Sequence, residues 1–391
     1  MKVRVGIVGL GLASGPHLKG YIAHPRSQVV AVCDADRDRA QAFAEEHRIP
    51  AWFDCYERFL KEADLDAVDI VTPTHLHAPM TLAALEAAKH VHCEKPFCRS
   101  VAEGRAAQAA AEDRDLRLAV GETYVHLSSH RKARELIEAG EIGRPKQVRQ
   151  RHGGWVERRL PAISTGPADR SWRTDAERSG GGRYPWIFDH AVHFFATAEL
   201  FMLDAPIVEV YAQASGEGGA TRAGAAHDPY SSAEPDIPTI VWRHADGTGQ
   251  GVWVRAERLN NRFDHARGFS TTIVGETGMS EGLGEGGGGL VWGGEQQHLV
   301  LHREGQDSVA MRFDDPPDAV WESEIGYYSA GHNRQIGAFV DSIVSGSPVE
   351  YGAVEGTRAI QATLATILAA KENLPVRLDK VPAEATAGDL S

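Results

Sequence analysis

Three side chains in this sequence have the types and spacing needed to move a proton at a hydroxyl group. Asp189 and His193 are four residues apart in a segment that reads as a mostly buried helix, so they share one face of it. Burying a carboxylate beside a histidine costs free energy, so such a pair is a candidate for handling protons. Lys95 stands in the tripeptide Glu94-Lys95-Pro96, where a lysine can donate to a hydroxyl and stabilise a developing alkoxide.

A glycine loop near the N-terminus predicts a dinucleotide site. Gly9, Gly11 and Ser14 form the pattern G-x-G-x-x-S directly after an apolar strand-like run and at the start of a helical segment. The first glycine permits a tight turn, and the second lets the backbone approach a pyrophosphate that the helix N-terminus attracts. Ser14 is small enough to keep the helix close to the strand.

Asp34 predicts which dinucleotide binds. It ends the second strand-like run, 23 residues after Gly11, where its carboxylate can accept hydrogen bonds from both ribose hydroxyls. Asp34 and Asp36 would both repel a 2′-phosphate, which favours NAD over NADP. Arg37 and Arg39 follow closely and argue in the other direction.

Strand-like and helix-like segments that alternate must position these residues. The predicted strands are 3–8, 28–33, 66–71, 90–93 and 116–120, and the predicted helices are 17–24, 38–46, 79–88 and 102–112. This alternation predicts a parallel, doubly wound sheet. Ligands bind at the carboxyl edge of such a sheet, where the loops 72–77 and 94–96 both begin.

The pattern changes from about His126. Strands are predicted at 147–151, 207–212, 239–243, 251–256, 270–274, 298–302 and 308–313, and helices at 131–139, 333–344 and 355–370. The last five strands follow one another without long helices, so neighbours are expected to be antiparallel. An open sheet face is also an association surface, which predicts a homodimer or homotetramer. The flexible segments 215–238 and 282–289 cover a site or decorate an edge, and 383–391 is expected to be a frayed tail.

Composition sets wider limits. The chain has 391 residues and a formal charge of −13, so a basic nucleic-acid footprint is not expected. It shows no signal-peptide pattern and no apolar run long enough for a membrane span, and its four cysteines have no common metal spacing. We therefore expect a soluble cytoplasmic protein without nucleic-acid or membrane partners. No metal site is expected, since His75 and His77 have no third ligand at a suitable spacing.

Taken in order, these motifs resemble the Gfo/Idh/MocA family, named for glucose–fructose oxidoreductase, inositol dehydrogenase and rhizopine catabolism. The resemblance rests on the glycine loop, on Thr72-Pro-Thr-His-Leu-His77, on Glu94-Lys-Pro96 and on the run WRTDAERSGGGRYPWIFDHAVH that ends at His193. It implies an α/β N-terminal Rossmann domain over 1–125. It also implies an α+β substrate-binding and oligomerisation domain over 126–391, with a large open, mostly antiparallel sheet.

The resemblance also implies roles for single residues. His193 would take the hydroxyl proton, Lys95 would polarise that oxygen, and Asp189 would position the substrate and His193. Tyr124 and Arg173 would join these three in contacting substrate. The residues expected to contact the cofactor are Gly9, Gly11, Leu12, Ser14, Asp34, Thr72, Pro73, His77, Glu94 and Lys95.

The function implied is an NAD-dependent dehydrogenase that oxidises a secondary alcohol of a sugar, glycoside or cyclic polyol. Two alternatives remain open at this point. One is a glycoside-cleaving enzyme that retains NAD and oxidises its substrate transiently. The other is a regulator that senses a dinucleotide without catalysis, which the presence of Lys95, Asp189 and His193 argues against.

Overall fold

A six-stranded parallel sheet forms the N-terminal half. In the computed structural model, which describes residues 2–152, 172, 175–214, 237, 239–247, 249–255, 270–283, 298–313 and 326–391, its strands lie in the order β3-β2-β1-β4-β5-β6. They are β1 (Val3–Val8), β2 (Ser27–Cys33), β3 (Ala51–Phe53), β4 (Ala67–Ile70), β5 (His90–Glu94) and β6 (Leu118–Gly121). The doubly wound parallel sheet is confirmed. The order reverses between β1 and β4, where the carboxyl ends open a crevice.

Five helices connect these strands. They are α1 (Ser14–Ala23), α2 (Arg37–His47), α3 (Tyr56–Glu62), α4 (His77–Glu86) and α5 (Val101–Glu112). Two of them begin at side-chain caps, since Asp36 accepts from the Arg39 amide at the start of α2 and Ser100 from the Glu103 amide at the start of α5. These caps end the preceding strand-to-helix loops at defined residues.

A nine-stranded sheet forms the second half. Its strands are β7 (Pro145–His152), β8 (Ile207–Gln213), β9 (Thr239–His244), β10 (Gln250–Arg255), β11 (Ser270–Gly275), β12 (Gly278–Leu283), β13 (His298–Arg303), β14 (Val309–Arg312) and β15 (Val376–Arg377). They lie in the order β14-β13-β12-β11-β7-β10-β9-β8-β15. β7 and β10 pair in parallel, and the other neighbours pair antiparallel. The predicted mostly antiparallel sheet is confirmed.

The remaining helices pack on these sheets. They are α6 (Ser128–Glu138), α7 (Ala176–Ser179), α8 (Pro185–Phe201), α9 (Gly326–Ser345), α10 (Ala353–Glu372) and α11 (Ala387–Leu390). α8 is buried on nearly all sides, and its Phe194 ring stacks on Trp253 of β10 with 4.7 Å between centroids. Among the described helices, none is long and apolar enough to cross a membrane.

The C-terminal helices return to the N-terminal half. Gly20 of α1 lies against Ile336 of α9 so closely that an added Cβ would come within 2.9 Å of that side chain. The Val120 amide of β6 donates to the Tyr351 carbonyl at 3.0 Å. One hydrophobic core contains side chains of both sheets and of α10, and the division at residue 125 stays a prediction.

The C-terminal tail is not frayed, so that expectation is wrong. The Ala102 amide donates to the Ala383 carbonyl at 2.8 Å, and Thr386 caps α11 with Asp389. Ala387 and Leu390 of that helix are buried. The buried apolar residues and the Thr386–Asp389 cap hold this end of the chain on α10. Composition alone had indicated disorder. Of the segment 282–289, residues 282 and 283 end β12, whereas 284–289 and nearly all of 215–238 lie outside the described residues.

Candidate active site

The glycine loop has the geometry that close backbone approach requires. Gly9 has a φ of +88°, and a Cβ there would lie 2.6 Å from the Val71 carbonyl oxygen, so only glycine fits this turn. Gly11 has open space where its Cβ would point. Ser14 begins α1 and donates through Oγ to the Gly11 carbonyl at 2.7 Å, while Leu12 is half-buried in the same turn. The loop thus leaves room beside Gly11 at the helix N-terminus, as a pyrophosphate needs.

These two glycines predict separable effects. Replacing Gly9 by alanine is expected to lower the free energy of unfolding by about 1–3 kcal/mol, because the φ and the contact with Val71 both strain the new side chain. Replacing Gly11 by alanine should leave the melting temperature unchanged. It should weaken NADH binding roughly tenfold, which corresponds to about 1.4 kcal/mol, because the methyl group enters the space beside the loop. Thermal unfolding and a fluorescence titration with NADH measure the two effects, and a destabilised Gly11→Ala protein would contradict this reading.

Asp34 lies against the glycine loop. Its Oδ2 accepts from the Leu10 amide at 2.8 Å and its Oδ1 from the Asp36 amide at 2.9 Å, which fixes the carboxylate at the end of β2. Arg39 lies 3.4 Å from the same carboxylate and 3.3 Å from Asp36. The guanidinium is thus shared between two carboxylates, an arrangement that favours ribose hydroxyls over a 2′-phosphate at this position.

The loop after β4 is tied to the loop after β5 by His77. Its Nε2 lies 2.7 Å from the Thr72 carbonyl oxygen and its Nδ1 lies 2.7 Å from that of Pro96. Burial lowers the pKa of His77, although both carbonyl contacts act in the opposite direction. The cofactor contacts predicted for Thr72, Pro73 and His77 stay predictions, and the His77 ring itself spans the two loops.

Lys95 and Asp189 meet at the carboxyl edge of the parallel sheet. The Lys95 Nζ donates to the Asp189 Oδ1 at 3.1 Å and to the Asp189 carbonyl at 3.2 Å. The peptide bond between Lys95 and Pro96 is cis. Lys95 directly follows β5, and Asp189 lies in the second turn of α8, so the sheet edge supplies the cation and the helix supplies the anion. Both side chains are mostly buried, which strengthens their attraction.

His193 is oriented by a residue that the sequence reasoning missed. Its Nδ1 lies 2.5 Å from Oε1 of Glu122, which directly follows β6. The Tyr124 ring stacks on the His193 ring with 4.3 Å between centroids. Glu94 and Gly121 are paired in β5 and β6, so Lys95 and Glu122, the residues that follow them, are neighbours at the sheet edge. The position of Glu122 directly after a predicted strand next to that of Lys95 is the sequence signal for its role.

His190 also lies near Asp189, although the sequence predicts no site role for it. Its Nδ1 lies 3.4 Å from the Asp189 Oδ2, and its ring stacks on Trp186 with 4.5 Å between centroids. Arg173, predicted to contact substrate, lies outside the described residues.

A buried ionic cluster lies beneath the site. His17 of α1 contacts Asp69 through Nδ1 at 2.8 Å and Glu94 through Nε2 at 3.0 Å, and His92 contacts the other Asp69 oxygen at 2.8 Å. The cluster therefore braces Glu94, the residue before Lys95. His17, Asp69 and His92, and also His17, Glu94 and His332, bring donor atoms within 4.8 Å of one another. The donor atoms of His17 and Asp69 already contact one another or neighbouring side chains. The absence of a metal stays a prediction.

The cluster predicts an alkaline loss of stability. Burial would lower the pKa of His17, but the charges and hydrogen bonds of Asp69 and Glu94 outweigh it and raise that pKa from 6.5 to about 10. The stabilisation is thus complete below pH 6.5 and is lost as the pH rises towards 10. We expect the melting temperature to fall over this range and to fall less steeply in His17→Gln. Thermal unfolding across the range measures this, and equal slopes in the two proteins would contradict it.

At acidic pH, stability is expected to change with pH in the opposite direction. Burial would raise the pKa of Glu94, but the hydrogen bond and charge of His17 lower it from 4.5 to about 2. The contribution of this carboxylate to stability is therefore present above pH 4.5 and is lost as the pH falls towards 2.

Comparisons with known proteins match this architecture. A family model described as an oxidoreductase family with an NAD-binding Rossmann fold matches residues 3–122, and a model described as a GFO/IDH/MocA C-terminal domain matches residues 130–281. The chain is 30% identical over 203 residues to the 1,5-anhydro-D-fructose reductase of Ensifer adhaerens, covering 52% of this chain and 57% of the relative. It is 33% identical over 156 residues to the inositol 2-dehydrogenase of Salmonella typhimurium, covering 39% of this chain and 46% of the relative. The chain thus spans about half the length of the curated relatives it matches.

A solved structure extends the similarity of the fold. An oxidoreductase from Agrobacterium radiobacter, solved in complex with NAD+, L-tartaric acid and magnesium, superposes with a TM-score of 0.75 over 97% of this chain and 99% of that one. The identity is 16%, so the likeness concerns the fold alone.

Proposed function

The chain belongs to the Gfo/Idh/MocA family of NAD-binding oxidoreductases, and on that basis we propose that it transfers hydride between a secondary alcohol and NAD. The proposed substrate is a sugar, a glycoside or a cyclic polyol, as the names of its relatives suggest. The observation that carries the proposal is the meeting of two polar pairs at one sheet edge. Lys95 and Glu122 directly follow adjacent strands. Lys95 contacts Asp189 at 3.1 Å, and Glu122 contacts His193 at 2.5 Å.

The residues of the glycine loop fit the cofactor. Space is open at Gly11, and the Asp34 carboxylate stands at the end of β2, on the side of the sheet where adenosine would lie. Lys95 and His193 lie on the other side of the strand-order reversal, where the nicotinamide would lie. NAD+, when bound, supplies the hydride acceptor.

The protein's own residues handle the proton. Nδ1 of His193 faces Glu122, so Nε2 is the ring atom that can receive the hydroxyl proton. The Lys95 ammonium can donate to the same oxygen as negative charge develops on it. Asp189 holds that ammonium in place through two contacts and can orient a second hydroxyl. The alcohol O–H bond would break with its proton passing to the His193 Nε2, and NAD+, if bound, would supply the acceptor for the hydride on the carbon that bears this oxygen.

We also propose a division of the chain into two domains and an oligomeric state. The Rossmann part extends over 1–125 and the second part over 126–391. A homodimer or homotetramer would form on the open sheet, where Val241 and Val254 are partly exposed on the face opposite the buried Trp242 and Trp253. We also propose a cytoplasmic location and no nucleic-acid or membrane partner.

A substrate screen tests the function. The purified protein is offered sugars, glycosides and inositols with NAD+ and separately with NADP+, and the absorbance of reduced nicotinamide is followed. We expect reduced nicotinamide to accumulate with NAD+ and at least one substrate. Glycoside cleavage without net reduction would instead indicate transient oxidation with retained NAD. Dinucleotide binding without turnover across the panel would indicate a sensor, and either result would overturn the proposal.

A further inference from the structure

We propose that Glu122 is a positioning residue that fixes the tautomer and direction of His193, so that Nε2 always faces the reacting alcohol. The catalytic part of this inference rests on the proposed function, whereas the positioning part concerns the protein alone. Glu122 and His193 are 71 positions apart in the sequence. The fold brings them into contact because the end of β6 lies next to α8.

The hydrogen bonds at Glu122 decide the tautomer. Its Oε1 accepts from the Tyr124 amide at 3.1 Å and lies 2.5 Å from the His193 Nδ1. An ionised carboxylate can only accept hydrogen bonds, so Nδ1 must carry the proton of a neutral His193. Nε2 is then the unprotonated nitrogen, which is the form that a general base requires.

Burial and packing prevent the pair from turning away. Glu122 is 1% exposed and His193 is 7% exposed. The Tyr124 ring lies against the face of the His193 ring at an interplanar angle of 29°, and the Thr197 hydroxyl donates to the His193 carbonyl at 2.7 Å. A flipped ring would place a carbon against the Glu122 carboxylate and lose a charge-assisted hydrogen bond in a nearly dry environment.

The pair also favours the charged product of proton transfer. When the alcohol proton moves to Nε2, the O–H bond breaks, an N–H bond forms, and His193 becomes an imidazolium beside the Glu122 carboxylate. A carboxylate at this short distance stabilises the new cation. With bound NAD+ as the hydride acceptor, one proton and one hydride would leave the alcohol and a carbonyl compound would remain.

The first measurement needs only the protein. In ¹⁵N-histidine-labelled protein, the ring proton on the His193 Nδ1 should resonate far downfield because its hydrogen bond is short, and its absence in His193→Asn assigns it. In Glu122→Gln, which keeps the shape but removes the charge, this resonance should move upfield. An Nε2-protonated His193 in the wild type would overturn the proposal, and so would an unchanged resonance in Glu122→Gln.

The second measurement uses the substrate found in the screen. Glu122→Gln should lower kcat roughly 10- to 100-fold and change KM by less than about threefold, because the carboxylate acts through His193 rather than on substrate. Glu199→Gln is the matched control. Glu199 is a buried glutamate of α8 that pairs with Arg358 at 2.9 Å, away from the sheet edge that carries Lys95, so kcat should stay unchanged. Melting temperatures of both variants check the fold.

The two measurements separate this proposal from the proposed function. If Glu122→Gln retains kcat within about twofold while His193→Asn does not, Glu122 has no positioning role. If no substrate is turned over by the wild type, the proposed function fails, and the ring-proton measurement still decides whether Glu122 fixes His193.

Discussion

Replacing Lys95 by methionine is expected to lower kcat by about 10²- to 10³-fold, which is the usual effect of removing one donor to a developing oxyanion. Methionine is an unbranched apolar side chain close to lysine in length, but it cannot donate a hydrogen bond. The Lys95 ammonium lies 3.1 Å from the Asp189 carboxylate, so its position in the free protein is already fixed. Steady-state turnover of the substrate found in the screen gives kcat and KM.

The same substitution has a separate effect on stability. It removes the ammonium that contacts the mostly buried Asp189 carboxylate, and removing one partner of a buried ion pair typically costs about 3–5 kcal/mol. The double variant Lys95→Met/Asp189→Asn removes both charges. It should therefore recover much of the lost melting temperature without recovering kcat. Recovery of turnover in the double variant would show that Lys95 acts only by neutralising Asp189.

The architecture of this chain is readable from its sequence where the elements are long or strictly patterned. The strands β1, β2, β4, β5 and β6 are apolar runs that end at glycine, aspartate or proline, and each was predicted. β3 and α3 were not, because Ala51–Phe53 has only three residues and its pairing with β2 supplies the order that the local pattern lacks. β12 was missed for a related reason, since Gly278–Leu283 contains two glycines and is held between β11 and β13.

Some residues of the site could not be predicted from sequence periodicity, because tertiary contacts determine their roles. Lys95, Asp189 and His193 follow from motifs, and the structure brings Lys95 and Asp189 into contact. Glu122 belongs to no recognised motif, and only the pairing of β5 with β6 shows that it lies beside Lys95 at the sheet edge. The sequence predicts only that His17 begins a helix, yet its ring bridges the carboxylates of Asp69 and Glu94. Single-residue chemistry at strand ends is therefore best predicted after the strand order is known.

Replacing His193 by asparagine is expected to lower kcat by about 10²- to 10⁴-fold, the range that a general base contributes. Asparagine can still donate a hydrogen bond towards Glu122 but offers no basic nitrogen to the alcohol. NADH binding should be unchanged, because the glycine loop and Asp34 make no described contact with His193. The result would locate the defect in proton transfer, where His193 Nε2 acts, and leave the cofactor site intact.

His90→Asn is the matched control for this variant. His90 is a half-buried histidine at the opposite, amino end of β5, where its Nδ1 accepts from the Arg117 amide at 2.9 Å. This substitution perturbs a structural hydrogen bond at a distance from Lys95 and should lower the melting temperature by a few degrees without lowering kcat. Equal losses of kcat in the two variants would attribute the effect to folding, and a kcat retained by His193→Asn would remove His193 from the chemistry.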